Sequence, residues 1–504
     1  MTRWEIKPGR WLASGRRMLR GGRAPGLSWW FVVCAAAVVV VVAWVATSWL
    51  LGEAASAKDP GAARVEAIKT GLGIGAGTTG VFALLLAVRR QWHSEHDAIE
   101  KNLTELYTKA ADQLGSTDAS VRLAGLYALE RLAQNNGRQR QSIVNVVCAH
   151  LRMSDESRDG EVRLAAQRIL ADHLSPDGRV FWDDIDLDLT NAHLVDFNLG
   201  NCRLRNGRFA GATFTGDAAF GGATFTGDAR FGGATFTGNA RFGMTTFVGT
   251  ARFGAAKFTG EARFGAAKFS RATSFASTTF AARAQFGDAA FADNAQFGGA
   301  VFGGDAQFKN TTFEGNAGFA GVAFTARAGF RAAGFRGEAR FRDSTFGGAA
   351  TFTGATFAGD ARFRHTTFAD GGAFEHASFA HRAGFGSAAF AGGATFERAA
   401  FTAHAGFSRA TFDGEARFGD AAFGRSAGFS SATFAGGACF DRTTFTGRAE
   451  FGNATFAGDA HFAGTAFDEG VLFDGATFDG RADFEGATLT GAFAFNPWRG
   501  RKTS

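Results

Sequence analysis

Residues 75–80 have residue types and a spacing that resemble a nucleotide-binding motif. Their sequence, GAGTTG, matches the G-x-G-x-x-G fingerprint, in which glycines let a backbone turn approach a dinucleotide pyrophosphate. That chemistry needs a strand before the turn and a soluble helix after it, whereas this motif lies inside an apolar stretch. Small residues four apart, such as Gly71 and Gly75, instead favour close packing of helices. We therefore predict no nucleotide cofactor here.

Histidines and cysteines are the next candidates for chemistry. His93 and His96 lie three residues apart beside Glu95 and Asp97, a group that could seat a metal ion. Helical histidines beside acidic residues are more often solvated, so we predict no metal site. The four cysteines are too far apart for a disulfide framework or a zinc site and are expected to be reduced thiols. Because the sequence shows no Ser/His/Asp or Cys/His set, we predict that the protein is not an enzyme and holds no cofactor.

Acidic residues near the C-terminus form the best candidate for a binding surface. Residues 441–495 hold nine acidic and three basic side chains, whereas residues 209–275 hold three acidic and seven basic ones. An acidic surface attracts basic partners and speeds their encounter in a salt-dependent way. We predict that this end docks a basic protein partner; alternatively, the acids only keep the end soluble and prevent end-to-end stacking. The candidate docking residues are Asp468, Glu469, Asp474, Asp479 and Asp483.

A membrane anchor is the first element that the sequence predicts. Residues 29–51 form an uncharged apolar run that, as a helix, is long enough to cross about 30 Å of hydrocarbon. Residues 70–88 form a second, more glycine-rich apolar segment that stops at Arg89 and Arg90. The N-terminal arm, residues 1–28, holds seven basic residues and one acidic residue, and such positive charge favours the cytoplasmic side.

We therefore predict a basic cytoplasmic arm over residues 1–28 and a two-helix transmembrane anchor over residues 29–90. The protein would be a multi-pass protein of the plasma membrane, in contact with lipid through both helices and with both termini in the cytoplasm. A cleaved signal peptide is the alternative, because residues 55–57 (ASA) resemble a cleavage site. The apolar run is, however, longer than the h-region of a signal peptide.

Residues 91–175 predict a small α-helical connector. Leu103, Leu106 and Ala110 follow the spacing of an apolar helix face. The segment 121–129 recurs loosely at 162–170, an offset within the range of HEAT-type helix pairs. Two units are too few to define a helical solenoid, so a helical bundle is the preferred interpretation.

The C-terminal three-fifths of the chain is dominated by a phenylalanine repeat. From Phe209 to Phe495, phenylalanine falls at alternating spacings of five and six residues, with Leu489 as the one exception. The residue two before each phenylalanine is nearly always alanine, and side chains two apart on a strand point to the same face. Phenylalanine and alanine are therefore predicted to fill a narrow core. Glycines such as Gly216 and Gly238 recur at the expected corners, where unusual backbone angles are needed.

Residues 191–194 (NAHL) and 201–204 (NCRL) resemble the A-(D/N)-L-x-x unit of the pentapeptide-repeat family. The array, residues 187–495, looks like that of a bacterial, membrane-anchored member. This resemblance implies a mainly β fold, a right-handed parallel β-solenoid with four sides per coil (a quadrilateral β-helix), over residues 177–497. A basic tail, residues 498–504, follows. With alternating spacings one coil holds 22 residues, and the six-residue sides depart from the family's pattern.

The function of such a solenoid lies on its outward positions. We predict a non-enzymatic, membrane-tethered scaffold that presents the solenoid to the cytoplasm and binds an unidentified protein partner; assembly into a homo-oligomer is left open. The alternative, which the resemblance implies, is a DNA-mimic regulator of a topoisomerase or another nucleic-acid-binding protein. Because residues 209–495 carry 24 basic and 25 acidic residues, a uniformly acidic mimic is disfavoured, and we expect no binding of nucleic acid.

The ends of a solenoid need closure, because an open coil exposes strand edges that recruit other chains. We expect the helical connector to cap the first coil. Phe493, Pro497 and Trp498 are expected to close the last one.

Overall fold

The computed structural model describes residues 29–55, 59–153, 160–490 and 492–494. The chain divides into two compact units, Met1–Leu106 and Tyr107–Ser504. The predicted basic arm and the predicted basic tail lie outside the described residues, as do Pro497 and Trp498 of the expected C-terminal closure.

Two helices make up the described part of the first unit. Helix α1 spans Trp29–Ala54, and helix α2 spans Pro60–Leu114 and reaches into the second unit. By length and composition, the stretch Ala37–Ala54 of α1 could cross a membrane, and it is the one such stretch among the described residues. The prediction of two membrane-spanning helices is therefore corrected to one candidate span among the described residues. The second segment, residues 70–88, is glycine-rich in its first half, and α2 continues past it instead of ending at the arginines.

The second unit begins with helices that pack against the solenoid. Asp118 caps helix α3, because its carboxylate accepts a hydrogen bond from the Ser120 amide at 2.8 Å. Gly125 of α3 allows close contact with α2, since a Cβ there would lie 2.7 Å from the Ala110 carbonyl oxygen. The helices of this bundle are α3 (Ala119–Asn135), a 3₁₀ turn (Gly137–Gln139), α4 (Arg140–Met153) and α5 (Gly160–Leu174).

From Leu187 the described chain winds into a parallel β-solenoid of right-handed type with about 14 coils. Short strands of successive coils pair in parallel and form four sheets, which we call sides 1 to 4 in chain order. Most strands have two residues. The first and last strands are Leu187–Asp188 and Ala492–Ala494 on side 1, His193–Val195 and Thr477–Phe478 on side 2, Ala218–Ala219 and Ala482–Asp483 on side 3, and Arg203–Leu204 and Thr488–Leu489 on side 4.

The strand register confirms a coil of 22 residues. On side 3, Ala240 pairs with Ala262, and the same step recurs along all four sides. The first coil is shorter, as the pairing of Leu187 with Gly207 shows. Its sides follow the strict five-residue spacing. The prediction of a parallel, four-sided solenoid is confirmed.

Side chains alternate between the core and the surface as the phenylalanine pattern predicts. Phe352 is fully buried, whereas its neighbour Thr353 is half-exposed. A hydroxyl at an inward position needs a hydrogen-bond partner in the dry core. Thr245 satisfies this need by donating to the carbonyl oxygen of Phe220 in the preceding coil at 2.7 Å.

The phenylalanine rings form continuous stacks along the core. On side 3, the Phe220 and Phe242 ring centroids are 4.7 Å apart and the planes differ by 1°. Rings from different sides meet edge to face, as Phe231 and Phe242 do at 5.3 Å and 85°. Such aromatic pairs contribute about 0.5–1.5 kcal/mol each beyond burial. Each coil is therefore stabilised mainly by the coils next to it.

Two different constraints act at the corners. The backbone is left-handed at every eleventh residue, for example at Gly233 (φ 67°) and at Met244 (φ 57°), so glycine is not obligatory there. Gly238 is needed for another reason, because a Cβ would lie 2.3 Å from the carbonyl oxygen of Gly216 in the coil before. The predicted role of Gly238 is thus corrected from an unusual backbone angle to a close approach between coils.

Helices α4 and α5 close the first coil with side chains that imitate a neighbouring strand. The Gln141 amide donates to the Asp186 carbonyl oxygen at 2.9 Å and accepts from the Asp186 amide at 2.8 Å. The Gln167 amide likewise donates to the Val195 carbonyl oxygen at 2.8 Å and accepts from the Val195 amide at 3.1 Å. These bonds satisfy edge groups that would otherwise need another chain. The expected cap of the first coil is confirmed.

Charged and aromatic side chains complete this closure. Arg152 and Arg163 donate to the carbonyl oxygens of Asp188 and His193 in the first coil. The apolar cover includes Leu151, Leu170 and Leu174 of the helices and Leu187, Leu189 and Leu194 of the coil, all fully buried. The solenoid core therefore continues into the helical bundle without a gap.

Candidate interaction surfaces

The five predicted docking residues surround the last coils instead of sharing one side. Asp468 and Glu469 lie at the corner between sides 4 and 1, and Asp474 at the corner between sides 1 and 2. Asp479 lies at the corner between sides 2 and 3, and Asp483 on side 3. The structure brings them together only as a ring, which we call the acidic ring. A partner that contacts all five must approach the end of the solenoid.

Apolar side chains are exposed inside the acidic ring. Leu489, which replaces phenylalanine in the repeat, is 45% exposed, and Phe478 and Phe484 are only half-buried. Phe484 stacks on Phe462 of the preceding coil, with ring centroids 4.8 Å apart. Among the described residues no helix covers this coil. The ring thus surrounds an apolar centre.

Many charged side chains of the solenoid are paired between coils. Arg442 lies 2.7 Å from Asp420, and Arg362 lies 2.7 Å from Glu338. The Arg442 guanidinium donates hydrogen bonds to Asp420 and holds the pKa of that carboxyl below its usual range. Such pairs cancel charge locally, so the charges that remain unpaired determine the long-range potential.

Five exposed arginines border side 1 over about four coils. No carboxylate among the described residues pairs with them. Between their two rows, the outward strand positions are Gly384, Gly406 and Gly428. We call them the side-1 arginines: Arg364 and Arg409 at the corner between sides 1 and 2, and Arg382, Arg425 and Arg448 at the corner between sides 4 and 1.

Five carboxylates border the opposite side over the same coils. No salt bridge in the described ranges joins them to a cationic side chain, although the Arg417 and Arg442 guanidinium groups attract Glu397 and Asp441. Glu375 also accepts a hydrogen bond from the Thr353 hydroxyl at 2.7 Å. The outward strand residues between them include Ala373 and Thr395. We call them the side-3 carboxylates: Asp370 and Asp413 at the corner between sides 2 and 3, and Glu375, Glu397 and Asp441 at the corner between sides 3 and 4.

A depression of about 410 Å³ also opens on side 3, nearer the first coil. Its charged lining residues are Arg283, Asp305 and Arg327. Arg327 lies 3.4 Å from Asp305, and Arg283 lies 3.7 Å from Glu261. These guanidinium groups already have carboxylate partners in the chain, so the depression offers no free charge to a ligand.

The cysteines and histidines that the structure describes show no arrangement for chemistry. Burial raises the pKa of the Cys148 and Cys202 thiols to about 12, which makes them weak nucleophiles, and all four cysteines are free. Within the described ranges no group of three or more His, Cys, Asp or Glu residues could hold a metal ion. The side chains of His93 and His96 lie outside the described part of the structure.

Sequence reasoning missed the cap glutamines, the side-1 arginines and the side-3 carboxylates. The two charged groups alternate along the chain, so a net charge summed over a segment cancels them. Residues 22 positions apart lie in one column of the solenoid, as the register shows. Writing the array in rows of 22 would have separated the two charged groups.

Comparisons with known proteins match only the array. The family model described as Pentapeptide repeats (9 copies) matches residues 199–246, 220–266, 335–378, 407–455, 429–477 and 451–497. No curated protein and no solved structure matches the chain. All of the matched segments lie in the solenoid.

Proposed function

The chain belongs to the pentapeptide-repeat family, and from that premise we propose that it is a non-enzymatic, membrane-tethered scaffold whose solenoid binds protein partners. The phenylalanine core carries this proposal, because it occupies the inward positions and leaves the outward ones for recognition. Solenoids of this family are generally protein-interaction modules. A preorganised surface binds without the cost of ordering a flexible segment.

Helix α1 supports the tether. Val38, Val40, Trp44 and Trp49 are 61%, 67%, 71% and 68% exposed, so this helix presents large apolar side chains on its surface. Apolar surface of this kind marks an interaction site, and the hydrocarbon of a bilayer fits a helix of this length. The basic arm, residues 1–28, supports an N-terminus on the cytoplasmic side.

Alkaline carbonate extraction of membranes tests the tether. The full chain should remain in the pellet, whereas Val40→Lys/Trp44→Lys should move to the supernatant, because a lysine at the centre of a span costs about 2.5–3.5 kcal/mol. The matched control, Ala400→Lys/Ala422→Lys on exposed positions of side 4, should stay in the pellet. Extraction of the unmodified chain would contradict the tether.

The number of crossings decides where the solenoid lies. With α1 as the one crossing, a cytoplasmic N-terminus places the solenoid on the opposite side, which reverses the predicted cytoplasmic location. We expect reporter fusions at residues 60, 95 and 504 all to report the external side. Cytoplasmic signals at 95 and 504 would instead mean that residues 70–88 cross as well.

The acidic ring is the docking surface that we propose for a basic protein partner. Its position at the solenoid end keeps it far from the first coil, and its five carboxylates create a potential that steers cationic partners. Neutralising all five residues to Asn or Gln should abolish the salt-sensitive recovery of membrane partners in a pull-down. The control Asp288→Asn/Asp293→Asn/Glu314→Gln, in mid-array, should retain them. If the neutralised chain keeps its partners but polymerises, the ring only prevents stacking.

The predicted alternative, a DNA-mimic regulator, has less support. A mimic needs a continuous acidic surface, and here arginines interrupt the acids. Arg241 lies 2.5 Å from Asp217, for example, and the side-1 arginines border one whole side over four coils. Recovery of a topoisomerase with the full chain would restore this alternative.

A further inference from the structure

The unpaired charges of the coils that hold residues 364–448 are sorted by side. The side-1 arginines and the side-3 carboxylates occupy the same coils, residues 364–448 and 370–441, on opposite faces of the solenoid. Sides 2 and 4 present small uncharged residues at the same level, such as Thr411 and Ala422. Over these coils, the unpaired charges are thus positive on side 1 and negative on side 3 behind it.

Neighbouring ion pairs make this sorting sharper. On the acidic side, Arg417 lies 2.6 Å from Glu415 and Arg442 lies 2.7 Å from Asp420, so these arginines are engaged within their own side. The five arginines and five carboxylates that remain have no such partners among the described residues. A second solenoid can therefore meet them without breaking an existing ion pair.

The corners match when two copies lie side by side in parallel. Moving a copy straight out from side 1 brings its side 3 to face side 1 of the first copy. The corner between sides 1 and 2 then lies beside the corner between sides 2 and 3 of the neighbour. At nearly equal levels this places Arg364 beside Asp370 and Arg409 beside Asp413 of the second copy.

The other corner gives the same match. Arg382 lies at a level between Glu375 and Glu397 of the second copy, and Arg448 lies near the level of Asp441 of that copy. Two arginines thus oppose two carboxylates on one corner, and three oppose three on the other. An antiparallel copy would exchange the corners and lose this balance.

Small residues allow the two faces to approach. The floor between the arginines is Gly384, Gly406 and Gly428, and a Cβ at Gly406 would have no atom within 4 Å. The opposite floor includes Ala373 and Thr395. Long side chains at the corners can therefore reach across while the flat strands come close.

From this geometry we propose that copies of the chain pack side by side, side 1 of one against side 3 of the next. The contact is heterologous, so each added copy leaves side 1 free at one edge and side 3 at the other, and rows of parallel copies form. The proposal goes beyond the scaffold function, since it requires neither a membrane nor a foreign partner. Its attraction comes from exposed charges and decreases with salt.

Charge reversal on each face tests the proposal in the full chain, purified in a non-ionic detergent. One variant carries Arg382→Glu/Arg409→Glu/Arg425→Glu, and the other carries Asp370→Lys/Glu397→Lys/Asp413→Lys. The control Ser378→Glu/Ala400→Glu/Ala422→Glu places three new charges on side 4. All of these positions face outward, and unchanged circular dichroism confirms that each variant is folded.

Sedimentation velocity gives the readout. The unmodified chain and the side-4 control should self-associate at about 0.05 M NaCl and separate at about 0.5 M, where the screening length is short. Each reversed variant alone should associate at least about tenfold more weakly, because like charges then face each other. Mixing the two variants should restore association, since acidic side 1 then meets basic side 3.

Three results would overturn the proposal. The first is an unmodified chain that stays monomeric at low salt. The second is association that persists in both reversed variants, which would place the contact elsewhere, for example at the exposed last coil. The third is a mixture that fails to associate. If side-1 reversal abolishes binding to anionic vesicles or RNA while the unmodified chain remains monomeric, the arginines serve that ligand and not a second copy.

Discussion

At the first coil of the solenoid, helices α4 and α5 supply both apolar cover and hydrogen-bond partners, whereas the last described coil exposes apolar side chains. Leu187 and Leu194 are fully buried near the start, while Leu489 at the finish is 45% exposed. At the start, Gln141 and Gln167 bond the backbone of the coil edge as a strand would. At the finish the acidic ring surrounds the exposed apolar residues.

The end of a solenoid has two separate needs. One is to keep water from the phenylalanine stack, and the other is to satisfy the strand edge. The first coil meets both needs with side chains from helices, which cannot recruit a further strand. At the last coil, no helix among the described residues meets either need, and the apolar centre of the acidic ring stays exposed. The two ends should therefore differ in how much each residue contributes to stability.

Two phenylalanines of the same stack should give the largest difference. Phe220 near the start is fully buried, and Phe484 at the finish is half-buried. Phe220→Ala should lower the free energy of unfolding by about 3–5 kcal/mol, because it leaves a cavity in a closed core. Phe484→Ala should cost under about 2 kcal/mol, since part of the ring is already hydrated. Urea unfolding of the full chain measures both.

Hydrogen exchange on the same variants serves as the control. Phe484→Ala should speed exchange in the last coils only, because a coil depends on its nearest neighbours. Equal costs for the two substitutions would mean that the last coil is as well covered as the first.

Removal of a cap glutamine should have an intermediate effect. Gln167→Ala leaves the amide and carbonyl groups of Val195 without a side-chain partner and should cost about 1–3 kcal/mol. The matched control is Gln307→Ala, an exposed outward position in mid-array, which should change stability by less than about 0.5 kcal/mol. If Gln167→Ala is as mild as its control, side-chain imitation of a strand does not stabilise the first coil.

A charge pair in the first coil should give the smallest effect, and one that depends on pH. Arg205 donates two hydrogen bonds of 2.8 Å to Asp186 and lowers the pKa of that carboxyl. A lowered folded pKa means that the contribution is present above the unfolded value of about 3.9 and is lost as the pH falls through the folded value. Asp186→Asn should therefore cost less than about 1 kcal/mol at pH 7, because the pair is partly exposed.

The test is to measure the free energy of unfolding from pH 7 down to about pH 2, a range that extends below the ordinary aspartate pKa. The difference between the unmodified chain and Asp186→Asn should shrink below about pH 4. Arg205→Gln should show at least this loss at pH 7, because Arg205 also donates to Asp184 at 2.8 Å, and it should converge in acid in the same way. A difference that stays constant across the range would assign the effect of Asp186 to packing or to its other hydrogen bonds.

The sequence alone was sufficient for the solenoid because one pattern is repeated many times. Alternation of strand faces makes phenylalanine and the alanine two before it point inward, and Phe352 is buried as that rule requires. Spacings of five and six set the coil length, which the pairing of Ala240 with Ala262 confirms. The membrane anchor was less well determined, because glycine-rich helices lie near the limit of apolarity, and Ala37–Ala54 is the one stretch among the described residues that is apolar enough to cross.

Contacts between coils depended on the tertiary structure. The role of Gly238 follows from the nearby carbonyl oxygen of Gly216, a contact between residues that lie one coil apart. The imitation of a strand by Gln141 and Gln167 depends on where two helices dock, and no local pattern encodes that. The sorting of arginines and carboxylates onto opposite faces likewise appears only when the chain is wound. In the wound chain, residues 11 apart lie on opposite sides of a coil, and residues 22 apart lie next to each other in successive coils.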